Sequence, residues 1–226
     1  MATTKLDKKD LIEPDKLQLA FLSIRTFVEK HRMRLYAGAG VFVLILMLAG
    51  GWHFYQLNYE TNAEKLYSKV FDTAQKAGSP SGDLTAIQGY KDLLLKYPRS
   101  RAAVTAHYRL GNLYFGRRET DAAILAYQDF LNKAPVDNDL VTLAYNGLGA
   151  CHELKKDFNK ALESIEKAMK TNTAYSFVVL NYTSMARVHE SMNSNAKAVE
   201  FYRKALEKTK DPLMTLYLKR KISNLG

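Results

Sequence analysis

Side chains that build catalytic or metal-binding sites are scarce in this sequence. Cys151 is the single cysteine, which excludes an intramolecular disulfide and any metal site made of several cysteines. The chain also lacks a glycine-rich phosphate loop, a nucleophile elbow and a histidine pair at metal-binding spacing. No motif places a nucleophile, a base and an oxyanion donor together. We therefore predict that the protein is not an enzyme, and we expect no cofactor and no metal ion.

Charged side chains are absent from one long segment near the N-terminus. From Leu35 to Tyr59 no residue carries a formal charge when histidine is neutral. A helix of about 20 apolar residues, at about 1.5 Å per residue, spans the roughly 30 Å hydrocarbon core of a bilayer. Aromatic rings favour the headgroup level, and the end of this run carries Trp52, Phe54 and Tyr55. The pattern predicts a transmembrane helix over residues 35–55.

The distribution of cations predicts the orientation of this helix. Lys30, Arg32 and Arg34 precede the span, whereas Lys65 is the first cation after it. Because cations are enriched on the cytoplasmic side, we expect residues 1–34 to form a cytoplasmic stub that contains an amphipathic helix. The C-terminal domain would then lie across the membrane.

Two alternatives compete with an uncleaved anchor. A buried core helix seldom stays free of charge over such a length. A cleaved secretory signal is the stronger rival, but the 34 residues before the apolar run exceed the leader of an ordinary signal peptide. The anchor is the interpretation that the sequence favours.

A repeated pattern fills the chain beyond residue 60. Each copy has a large residue, a Leu-Gly or similar pair, an aromatic or histidine, an alanine and a second large residue. The fullest copies are His107, Leu110-Gly111, Tyr114, Ala123, Tyr127 and Pro135; then Tyr145, Leu148-Gly149, His152, Ala161, Ile165 and Ala168; then Tyr182, Met185-Ala186, His189, Ala198, Tyr202 and Ala205. Equivalent alanines (Ala86, Ala123, Ala161 and Ala198) are 37, 38 and 37 residues apart. Such regularity indicates stacked helix pairs whose small residues lie where two helices approach closely.

These copies resemble tetratricopeptide repeats and define the fold that we predict. The fold is all-α, with a single N-terminal transmembrane helix followed by an α-solenoid of about four helix pairs over residues 60–210. A C-terminal capping helix over residues 211–226 would cover the last pair, because an open end exposes core residues. Pro98-Arg99-Ser100 is predicted to end one helix and to supply the N-cap of the next.

Arrays of this repeat type bind through a concave surface lined by the first helix of each pair. The positions predicted to face that groove are Tyr108, Asn112, Phe115, Asn146, Glu153, Thr183, Arg187 and Glu190. Their mixture of aromatic, amide and charged side chains suits an extended peptide of varied chemistry. The set does not reproduce the lysine–asparagine–arginine clamp by which some repeat receptors hold chaperone tails. The alternative, ordinary solvated helix positions, stays open.

The formal net charge of +10 indicates either anionic partners or simply a lysine-rich surface. The cations are scattered among carboxylates, and no basic stripe alternates with aromatic residues, so we expect no nucleic-acid partner. His107, His152 and His189 fall in successive repeats at packing positions, and no metal site is assigned to them. Asn181-Tyr182-Thr183 is a glycosylation sequon inside a predicted helix.

Three segments resemble the bacterial ancillary SecYEG translocon subunit family (YfgM-like proteins). The first runs from Phe27 through His31 into the span that ends at Gly51-Trp52 and Tyr55. The second is Tyr97-Pro98-Arg99-Ser100, and the third is the ending from Leu218 to Leu225. The resemblance implies a bacterial inner-membrane protein with a periplasmic repeat domain. It also implies association with the secretion channel and with periplasmic chaperones that handle newly translocated proteins.

The function that we predict is therefore a membrane-tethered adaptor on the periplasmic side of the inner membrane. Its partners would be the SecYEG-type translocon, chaperones or unfolded, newly translocated clients. The alternatives are a structural scaffold of an envelope complex, in outer-membrane assembly or division, and an organelle import receptor. Orientation separates the import receptor from the other two, and contact with nascent chains separates the adaptor from the scaffold.

Overall fold

A computed structural model describes residues 16–77, 80–134, 138–171 and 175–226. All regular structure within these ranges is helical, which confirms the predicted fold class. The chain divides into two compact units, residues 1–57 and Asn58–Gly226. The second unit contains the repeats.

The first helix, α1, runs without a break from Lys16 to Ala77. It includes the segment predicted as an amphipathic helix, the predicted span and the start of the repeat region. Its apolar side chains between residues 35 and 57, among them Val41, Leu44 and Leu48, are exposed in the isolated chain. Of the helices in the described ranges, this one alone is long and apolar enough to cross a membrane, with a mean hydropathy of 1.9 in its 18-residue window.

Eight further helices lie in the described part of the second unit. They are α2 (Pro80–Lys96), α3 (Arg101–Gly116), α4 (Thr120–Lys133), α5 (Asn138–Leu154), α6 (Phe158–Thr171), α7 (Tyr175–Ser191), α8 (Asn195–Lys208) and α9 (Pro212–Leu225). Residues 58–77 of α1 pack against α2, and α3–α4, α5–α6 and α7–α8 form the next pairs. The array therefore has four helix pairs followed by α9.

Small residues set the approach of the paired helices, as the sequence predicts. The four equivalent alanines, Ala86, Ala123, Ala161 and Ala198, are all buried. A Cβ atom placed on Gly111 would lie 2.6 Å from the Tyr127 ring, and one on Gly149 would lie 2.8 Å from Ile165. Each glycine thus leaves the space that a large side chain of the second helix fills.

The same left-handed turn joins the two helices of the last three pairs. Arg118, Lys156 and Asn193 have positive φ values of 64°, 60° and 57°. The residue that follows each of them donates its backbone N–H five residues back, as in Glu119 N to Tyr114 O at 2.9 Å. These bonds satisfy carbonyl groups at the C-terminus of the first helix of each pair. They offset the strain of a non-glycine residue in the left-handed conformation.

Caps define the ends of two helices that position the array. The Ser100 hydroxyl accepts a hydrogen bond from Ala103 N at 3.0 Å, which confirms the predicted N-cap of α3. Asp211 caps α9 through Leu213 N, and Pro212 occupies the first turn. Leu218 of α9 is fully buried against Ala186, Tyr202 and Ala205, so α9 covers the last pair as predicted.

Candidate protein-binding surface

The first helices of the pairs lie side by side along one surface of the array. Helix α3 contacts α5, and α5 contacts α7, whereas the second helices α4, α6 and α8 make no contacts with one another in the described part of the chain. The two rows of a curved array differ in this way, and the closely spaced row lines the inner surface. We call the surface formed by α3, α5 and α7 the concave surface.

Two of the predicted groove residues are packing residues in the structure. Tyr108 is 8% exposed, and its ring centroid lies 5.6 Å from that of Phe130 and 6.1 Å from that of Tyr127. Asn146 is also buried, and its Nδ2 donates to Asn181 Oδ1 of α7 at 2.7 Å. These side chains join neighbouring elements and leave the concave surface to others.

An ion pair links α5 and α7 among the predicted residues. Arg187 Nη1 lies 2.8 Å from Glu153 Oε2, and the Ser191 hydroxyl donates to Glu153 Oε1 at 2.8 Å. The Glu153 side chain is 10% exposed, while that of Arg187 is 42% exposed. The guanidinium therefore offers its outer edge to solvent or to a partner while the carboxylate is held beneath it.

A second polar cluster lies where the last pair meets α9. Glu190 accepts from Lys221 Nζ at 2.8 and 2.9 Å and from the Tyr202 hydroxyl at 2.8 Å. Burial alone would raise the pKa of Glu190, but the hydrogen bonds from Lys221 and Tyr202 hold it below its ordinary value. The cluster fixes α9 onto α7 and α8.

The remaining predicted residues differ in exposure. Asn112 is exposed, although its Oδ1 accepts from the Tyr127 hydroxyl at 2.7 Å. Phe115 is half-buried at the edge of the cluster formed by α3, α4 and α5. The Thr183 hydroxyl is held by Val179 O of its own helix at 2.8 Å. Asn112 is thus the exposed member of the set, and the Arg187 side chain, 42% exposed, follows it.

Several partners of these residues escape sequence reasoning. Asn181, noted only as a sequon, is 1% exposed and accepts from Asn146, so its amide is not accessible for glycosylation in the folded array. Ser191 and Lys221 complete the two acidic clusters. The signal available in the sequence was a separation of 35 residues between Asn146 and Asn181 and of 34 residues between Glu153 and Arg187. Both are close to the repeat length of 37, and nearby positions of neighbouring repeats lie close together.

A small cavity lies at the N-terminal end of the concave surface. It has a volume of about 210 Å³ and is lined by residues that include Phe71, Tyr90, Arg109 and Asn112. The Arg109 guanidinium stacks 4.7 Å from the Phe71 ring centroid and donates from Nε to the Tyr67 hydroxyl at 3.0 Å. This packing orients a cation toward the end of the groove.

Burial disfavours the charged forms of the cysteine and of two histidines. Burial raises the pKa of the Cys151 thiol to about 12, so the thiolate is not populated at neutral pH. Burial also lowers the pKa of His107 and His189, and nearby Lys133 and Lys197 lower them further. Within the described ranges, no group of three or more histidine, cysteine, aspartate and glutamate side chains is placed to hold a metal ion.

These histidines predict a pH dependence of stability. Their pKa values are lower in the folded array than in the unfolded chain, where histidine titrates near 6.5, so below about pH 6.5 the unfolded state binds more protons. Stability is therefore complete above that pH and is lost as the pH falls through the folded pKa values. Urea midpoints of the full chain in detergent should drop between pH 7.5 and 5.5.

The carboxylates do not account for a loss in this window. Glu190 and Glu200 have lowered pKa values, so their contribution is lost only below about pH 4.3. His189 is stacked on Phe201 at 5.4 Å between ring centroids, and His189→Gln removes its titration. A pH slope that is unchanged in His189→Gln would show that this histidine does not contribute.

Comparison with known proteins gives a family and a fold. A family described as a tetratricopeptide repeat-like domain matches residues 25–226. Two crystal structures of MamA are similar: one has a TM-score of 0.55 at 21% identity over 72% of this chain and 81% of that chain. The other has a TM-score of 0.53 at 28% identity over 65% and 78%. No curated protein sequence matches the chain.

Proposed function

We propose, from the premise that this chain belongs to the tetratricopeptide repeat-like domain family, that it is a membrane-tethered adaptor whose array binds protein partners. The family match carries the proposal, because it begins at residue 25 and so includes both the apolar segment and the repeats. Folds of this family serve as protein-binding arrays, and no enzyme family matches. Tethering raises the effective concentration of the array near its partners, so weak contacts suffice.

The concave surface supports a peptide-like partner. It offers an exposed amide at Asn112, an aromatic ring at Phe115 and a half-exposed guanidinium at Arg187.

The location of the array and its partners are inferred from the sequence. The cations before the apolar run support an array on the non-cytoplasmic side, and the YfgM-like resemblance implies the periplasm of a bacterium, with the anchor in the inner membrane. Its partners there would be a SecYEG-type translocon, periplasmic chaperones or newly translocated proteins. The array would hold emerging chains or chaperones close to the channel exit.

A structural scaffold is the second candidate, and one observation favours it. The bonds from Asn146 to Asn181 and from Arg187 to Glu153 join successive repeats across the concave surface. Such bonds stiffen the array, and a preorganised surface suits a single fixed partner better than many unfolded clients. The two functions differ in the partners that the surface contacts in the cell.

Photocrosslinking from the concave surface tests the adaptor function. A photoreactive amino acid is placed at Asn112 or Arg187 of the full chain in cells, and captured partners are identified by mass spectrometry. We expect channel subunits, chaperones and nascent envelope proteins from these sites, and little from the matched position Gln128 of α4, which is exposed on the second row of helices. Crosslinks to one fixed assembly, without nascent chains, would instead support the scaffold. Equal capture from Gln128 would show that the concave surface is not the binding site.

Membrane extraction tests the tether separately. We expect alkaline carbonate and high salt to leave the protein in the membrane fraction at its full mass of 25.6 kDa. The reason is that an apolar helix embedded in lipid is not released by charge screening or by a change of pH. Release by carbonate, or a shortened product beginning near residue 51, would contradict the anchor. Replacing Leu44 and Leu46 by arginine is the matched control, because charges at the centre of the span disfavour insertion.

A further inference from the structure

The outer face of α9 carries an apolar patch that no described residue of the array covers. Leu213 is 78% exposed, Leu216 is 68% exposed and Tyr217 is 41% exposed. These positions have the spacing i, i+3 and i+4, which places them on one face of a helix. The opposite face, with Leu218, packs on α8. We call Leu213, Leu216 and Tyr217 the α9 patch.

The spacing of the helix starts along the sequence identifies the place of α9 in the array. Helices α3, α5, α7 and α9 begin at residues 101, 138, 175 and 212, so each begins 37 residues after the one before. Helix α9 therefore holds the place of the first helix of a fifth pair. Terminal helices of repeat arrays ordinarily turn a polar face to solvent, and α9 does not.

The positions equivalent to Leu216 are covered in the two earlier repeats. Leu216 corresponds to Val179 of α7 and to Thr142 of α5, at steps of 37 residues, and these are 6% and 0% exposed. Arg220 corresponds by the same steps to Thr183 and Asn146, and Asn146 bonds to Asn181 of the next first helix. Leu216 and Arg220 thus lie on the face along which an earlier unit receives the next one.

Cations outnumber anions in the sequence around this face, and we call them the cationic rim. Residues 208–226 contain five cations, Lys208, Lys210, Lys219, Arg220 and Lys221, and one anion, Asp211. Asp211 is engaged as the N-cap of α9, and Lys221 is paired with Glu190. Lys219 and Arg220 are exposed in the turn that follows the patch. The rim therefore complements a partner with acidic side chains.

A second copy of this chain does not fit the patch. Two α9 faces packed together would bring their cationic rims into contact, which is unfavourable. Stacking end to end fails for another reason: the exposed residues at the other end of the array, from 58 to 75, are all polar or charged. A membrane surface fits less well than a helix, because interfacial helices immerse an apolar face several turns long, whereas the patch covers residues 213–217.

We propose that the α9 patch is a docking site for an amphipathic helix of another protein, with an apolar stripe flanked by aspartate and glutamate. The helix continues the array by packing on Leu213, Leu216 and Tyr217, and its carboxylates pair with Lys219 and Arg220. The α9 patch lies outside α3, α5 and α7, so it remains a proposal of its own if binding at those helices fails. It gives the adaptor a second partner while the groove stays free.

The test uses the full chain in detergent micelles and two labelled peptides. Both have about 18 residues, enough for a helix, with the same leucine stripe; one is flanked by glutamates and the other by lysines. We expect fluorescence anisotropy to show binding of the glutamate peptide, weakened about tenfold or more by Leu213→Ser with Leu216→Ser. The charge reversals Lys219→Glu and Arg220→Glu together should reverse the preference between the peptides. Asn112→Ala, on the concave surface, should leave binding unchanged.

Three outcomes would overturn the proposal. Equal binding of both peptides would show that the patch does not select an acidic partner. Concentration-dependent self-association that Leu216→Ser abolishes would assign the patch to a second copy. A polarity-sensitive dye attached at Leu216→Cys that shifts on transfer from neutral to anionic nanodiscs, without peptide, would assign it to lipid. Far-UV circular dichroism checks that each variant is folded, and the lysine and arginine reversals test the same face without removing apolar side chains.

Discussion

Gly147→Ala is expected to destabilise the repeat array by up to about 2 kcal/mol, although alanine favours helix formation. A Cβ atom at this position of α5 would lie 2.5 Å from Cζ and 2.8 Å from Oη of Tyr127. Overpacking of a core costs about 1–3 kcal/mol, whereas replacement of a helical glycine by alanine gains at most about 1 kcal/mol. The steric cost is therefore larger than the gain in propensity.

The clash is costly because the Tyr127 ring has no room to move. The ring is 2% exposed, and Gly111 of α3 presses on it from another helix, where an added Cβ would lie 2.6 Å away. Its hydroxyl is tied to Asn112 at 2.7 Å. Tyr127 thus occupies a space that two glycines on two first helices leave open, and it links three consecutive helices.

Urea unfolding of the full chain in detergent, followed by circular dichroism, measures this effect. Gly116→Ala is the matched control, because a Cβ at that helical glycine would meet nothing within 4 Å; we expect it to be neutral or stabilising. Tyr127→Leu lacks Cζ, Cε2 and Oη, so Gly147→Ala should cost little in that background. Equal effects of Gly147→Ala and Gly116→Ala would show that the contact does not limit packing.

This contact also shows where sequence reasoning succeeds and where it stops. The Leu-Gly pairs and the spaced alanines predict the close approach within a pair, and Gly111 and Gly149 confirm it. Gly147 lies outside the repeat signature, and its role arises from contact between pairs. Spacing along one repeat does not encode that contact, because it depends on how far each pair rotates against the next.

The turns and the groove residues also separate features that the sequence predicts from features that depend on packing between helices. Arg118 and Lys156 adopt positive φ values at positions where glycine is the residue that sequence rules expect. The prediction of the concave surface used helix periodicity, which selects the helix face but does not show how closely the next helix covers it. Tyr108 and Asn146 are buried for that reason, whereas Asn112 and Arg187 keep accessible surface. The binding role of the set stays a prediction.

The cap provides the second large effect. Leu218→Ala is expected to cost about 2–5 kcal/mol, the range for a fully buried leucine. Leu218 is 0% exposed and fills the space between α9 and the buried residues Ala198, Tyr202 and Ala205. Leu216→Ala is the matched control on the same helix: its side chain is 68% exposed, so we expect a change within about 0.5 kcal/mol.

The loss should also be local, because each unit of a repeat array contacts only its neighbours. Without Leu218, α9 keeps only the contacts of the partly buried Met214, Ile222 and Leu225 with this cluster and the half-buried pair of Lys221 with Glu190. Hydrogen exchange of Leu218→Ala should therefore accelerate in α8 and α9 before α3 and α4. Uniform acceleration along the array would show that it unfolds as one cooperative unit.

Equal effects of Leu216→Ala and Leu218→Ala would show that α9 does not cap the array through its buried face. Because the cap presents the α9 patch, its fraying in Leu218→Ala should also weaken binding of the glutamate peptide while crosslinking from Asn112 persists.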